Sequence, residues 1–179
     1  MSFLRWLGIE TGPASPRSAS GETETVREIV RALEAMEPGR ARYLACFAFL
    51  LSRVANADLE ISDEETREME RIVMTWGGLP SDQAILVVQI AKSQNRLFGG
   101  TDNFSVAKQF KDLSNPGQRE ELLHCLFAVS AADDSVSVVE ENEIWKIAAE
   151  LGIPNSDFVA IRSAYRDKRE VLKNLPTGS

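Results

Sequence analysis

The chain has 179 residues, 44% of them hydrophobic and 26% charged, with a net charge of −7 at neutral pH. That length suits one domain plus extras, and the apolar share is enough for a real core. The negative balance speaks against nucleic acid and anionic membrane as partners, since both are polyanions. No apolar run approaches the ~20 residues of a membrane-spanning helix, and Arg5 interrupts the short apolar start, which lacks the pattern of a signal peptide. A cytoplasmic protein is expected.

In chain order, Phe3, Leu4, Trp6 and Leu7 form a dense apolar arm, and Gly12 to Gly21 is rich in Pro, Ser and Gly and reads as a flexible linker. Residues 1–21 are therefore set apart from a helical domain over 22–175. The first helix is expected from Thr25 to Met36, opened by a Thr25-x-x-Glu28 capping box and striped by Val26, Ile29, Val30 and Leu33. Pro38-Gly39 breaks the chain. A second helix runs from near Arg40 to Asp58, and Leu44, Phe47, Leu50, Leu51 and Val54 give it a helical period. The third follows Ser62 and ends near Trp76-Gly77-Gly78. The fourth starts at Pro80-Ser81-Asp82 and reaches about Asn95, with Gly99-Gly100 as a loop beyond it.

Asp102 or Asn103 caps a short fifth helix carrying Phe104, Val106, Phe110 and Leu113. Asn115-Pro116 reads as a cap followed by proline at the first helical position, opening a sixth helix to Asp133. The seventh spans Val138 to Leu151, and the eighth starts at Asn155 or Ser156. No segment sustains the alternation of a strand. The fold class is all-α, a single compact domain of seven to eight helices.

The chain repeats itself. An offset of 75 residues aligns Phe47 to Val73 with the second half without gaps: Asp58 meets Asp133, Ser62 meets Ser137, and Glu65 and Glu68 meet Glu140 and Glu143. An offset of 74 then pairs Gly78-Leu79-Pro80 with Gly152-Ile153-Pro154. One structural unit used twice is the reading. It gives halves at about 40–96 and 115–172, related by a pseudo-twofold axis.

In each copy an apolar helix ends on Ala-Asp, a turn follows, and Ser-x-x-Glu opens the next helix. Ser62 with Glu65, and Ser137 with Glu140, match the capping box, in which serine and glutamate each satisfy the other's backbone N–H. Asp63, Glu64, Glu65, Glu140 and Glu141 place negative charge where the helix dipole favours it. Asp58 and Asp133 sit instead at helix C-termini, where an acid opposes the dipole. Either each carboxylate accepts N–H groups of its own turn, or Asp58, Glu65, Asp133 and Glu140 together hold a divalent cation (Ca²⁺, Mn²⁺ or Mg²⁺) through hard oxygen ligands.

An EF-hand is excluded, because loop position 6 would be Asp63 rather than Gly and position 12 would be Met69 rather than Glu. There is no phosphate loop, HExxH, nucleophile elbow or paired Cys/His cluster, so no enzyme, catalytic residue or cofactor is assigned. Cys46 and Cys125 fall in apolar runs and read as small core residues, and His124 as a packed helix residue.

The duplicated pattern of apolar helix, Ala-Asp, turn and apolar-Ser-x-x-Glu resembles the TerB-like family, over roughly Pro38 to Val171. The motif positions are Asp58, Ser62, Glu65, Asp133, Ser137 and Glu140. Family members usually carry Gly after the Asp; here Leu59 and Asp134 stand there, and Leu does not tolerate a positive φ. The resemblance implies an all-helical fold in two halves, a tie to tellurite and stress responses, and metal binding by acidic residues. Two functions compete on this footing. One is a non-enzymatic scaffold in tellurite or general stress response, presenting acidic turns to a protein partner. The other is a divalent-cation module. For the arm, docking onto the domain or a partner is preferred to membrane contact through Phe3, Leu4, Trp6 and Leu7, because stable peripheral binding needs a second signal.

Overall fold

The computed structural model describes residues 20–55, 61–93, 103–132 and 137–173, with side chains over 24–55, 61–93, 104–132 and 137–165. The apolar arm, Asp58, Asp133 and the Gly99-Gly100 loop lie outside these residues. Among the described residues every regular element is a helix: α1 (Ser20–Glu34), α2 (Pro38–Ala55), α3 (Asp63–Gly77), α4 (Ser81–Lys92), α5 (Asn103–Leu113), α6 (Pro116–Ala131), α7 (Val138–Glu150) and α8 (Asn155–Lys173).

The boundaries follow local chemistry. Ser62, Asn115 and Ser137 each cap a helix through a reciprocal box with Glu65, Gln118 and Glu140. Gly78 ends α3 in the left-handed region at φ 67°, and Gly152 follows α7 at φ 72°. At the second site the Ile153 N–H donates to the Ala148 carbonyl at 2.9 Å, the wrap-back bond of a Schellman end. One expected start is corrected. Thr25 is inside α1, which begins at Ser20, so Thr25 and Glu28 do not open the helix, and Ser20 and Gly21 belong to it rather than to a linker. A capping-box spelling marks a start only where the helix does not continue upstream. α4 closes at Lys92 and α6 at Ala131, each two or three residues short of its expected end, and the expected end of α2 at Asp58 lies outside the described residues.

α2 is the centre of the core. Ala41, Val54 and every residue from Tyr43 to Ser52 are buried, so the helix is apolar nearly all round, as a fully enclosed helix must be. It packs on α1, α4, α5, α6 and α7. Tyr43 stacks on Phe110 of α5 with ring centres 5.2 Å apart. A Cβ at Gly77 would lie 2.9 Å from the Phe47 ring, so the last turn of α3 needs glycine to approach α2 this closely. A second aromatic cluster joins α3, α6 and α8: Trp76 stacks on His124 at 5.9 Å, and Phe127 on Tyr165 at 5.6 Å. His124 is thus the packed residue expected, and the Tyr165 hydroxyl donates to its carbonyl at 2.8 Å.

Some helix pairings recur in both halves. α2 pairs with α4 as α6 does with α8, α3 with α4 as α7 does with α8, and α3 packs on α6 as α7 packs on α2. Each half's Ser-capped helix therefore rests on the central helix of the other.

Candidate functional site

The two capping boxes have nearly the same geometry. Ser62 Oγ accepts from the Glu65 N–H at 3.2 Å, and Glu65 Oε2 accepts from the Ser62 N–H at 2.8 Å and its hydroxyl at 2.9 Å. The corresponding distances for Ser137 and Glu140 are 3.2, 2.8 and 2.7 Å. The backbone bond from Ser62, then the bond from its hydroxyl, hold the Glu65 carboxyl below its ordinary pKa. Asp63, Glu64 and Glu65 stand exposed on the first turn of α3.

Beside that turn is a cleft of about 140 Å³. Its floor is apolar, from Ile61, Met69 and Ile72 on one side and Ala55 and Val129 on the other. Glu65 and Glu68 form an acidic edge. Cofactor and drug-sized pockets run to about 300–1,000 Å³, so a cleft of this size takes a single side chain.

The capping residues stand where the sequence places them, but the four-carboxylate set is not assembled by the described residues. Asp58 and Asp133 lie outside them. Glu65 lines the cleft, whereas Glu140 is not among the described residues lining it. Among the described residues no group of three or more His, Cys, Asp or Glu side chains converges on one point. Cys46 and Cys125 are buried free thiols, and burial pushes each up to about 12.

Sequence reasoning missed Arg53. Its side chain is only 8% exposed, and it reaches from α2 to α7. There its guanidinium lies 2.8 Å from Glu143 and 2.7 Å from Glu150. Burial works against the positive charge, but hydrogen bonds to Glu150 and Glu143 outweigh it and raise the pKa. The partners are 90 and 97 residues away. No local signal marks it: α2 carries three arginines, Arg40, Arg42 and Arg53, and only the crossing of α2 on α7 singles out the last.

An all-α domain is the class this geometry defines. Residues 43–163 match the family described as Tellurite resistance protein TerB, and the chain belongs to that family. No curated protein and no solved structure gives a significant match. Among the described residues no helix is long and apolar enough to cross a membrane.

Proposed function

We propose that the chain is a non-enzymatic interaction domain, acting in the cytoplasm in tellurite or general stress response, that presents the acidic start of α3 to a basic protein partner. The observation that carries this reading is the exposed Asp63-Glu64-Glu65 turn beside a cleft of side-chain size. An exposed carboxylate cluster steers and orients a cationic partner, and an apolar hollow next to it supplies the contact that fixes register. The family match supports the tellurite connection.

The test is complementation in the host's deletion strain. Asp63→Asn with Glu64→Gln removes two charges without removing the cap. The wild-type chain is expected to restore tellurite tolerance and the double variant to fail, at equal abundance and with an unchanged helical spectrum. Full restoration by the variant would contradict the reading. The competing reading keeps Asp58, Glu65, Asp133 and Glu140 as ligands of a divalent cation, and a direct cation titration separates the two.

A further inference from the structure

We draw no further inference here: the strongest candidate, the groove between α7 and α8 where exposed Trp145 and Val159 stand beside the Arg162–Glu141 ion pair, is an apolar face that nothing in the structure shows to be covered by any particular partner.

Discussion

At the scale of single residues, Arg53 decides most about how the halves hold together. It is a nearly buried cation between two carboxylates on another helix, and each carboxylate is about a quarter exposed. Removing one member of a fully buried pair costs about 3–5 kcal/mol. Partial exposure lets Glu143 and Glu150 regain some water, so Arg53→Met is expected to cost ~2–3 kcal/mol. For a chain of this size that is a fall of roughly 5–10 °C in the melting midpoint. Calorimetry of the variant checks it, and an unchanged midpoint would mean the network contributes nothing net. None of this was legible in the sequence. The pairing depends on how α2 crosses α7, and no local pattern encodes a contact across 90 residues.

At the scale of elements, the capping boxes were legible because they are local. Ser62-x-x-Glu65 and Ser137-x-x-Glu140 need only three residues of helix to form, and both formed with matching distances. Thr25-x-x-Glu28 has the same spelling and does not open a helix, because α1 already runs through it from Ser20. Ser62→Ala and Ser137→Ala are each expected to cost about 0.5–2 kcal/mol in denaturant unfolding. Equal midpoints in wild type and both variants would contradict the capping role. Glu65 adds a pH dependence whose sign follows from its lowered pKa. A carboxylate favoured in the folded state contributes stability above its unfolded pKa, near 4.3, and loses it as pH falls through the lower folded value. Acid titration of Glu65→Gln is therefore expected to show a flatter fall in stability below about pH 4.5 than wild type, the two curves differing most above that pH. Parallel curves would show that the box does not hold the charged form.

At the scale of the whole molecule, the all-helical architecture and the family were legible, because helical periodicity, caps and glycines recur at offsets of 75 and 74 residues. Some helix contacts recur in both halves: α3 packs on α6, and α7 on α2. The cleft was not legible, since it arises where α3 meets the ends of α2 and α6, a juxtaposition no local pattern encodes. The central claim is that the acid at the start of α3 serves a protein partner rather than a resident cation. A cation bound at about 10 μM and supplied at 1 mM would stabilise the fold by about 2.7 kcal/mol, or roughly 5–10 °C for a chain of this size. The most direct measurement is therefore the melting midpoint of the full chain in 1 mM Ca²⁺, Mn²⁺ or Mg²⁺ against sodium chloride of equal ionic strength. No change beyond the salt control is predicted. A saturable rise of several degrees with any of the three, lost in Glu65→Gln, would contradict the account.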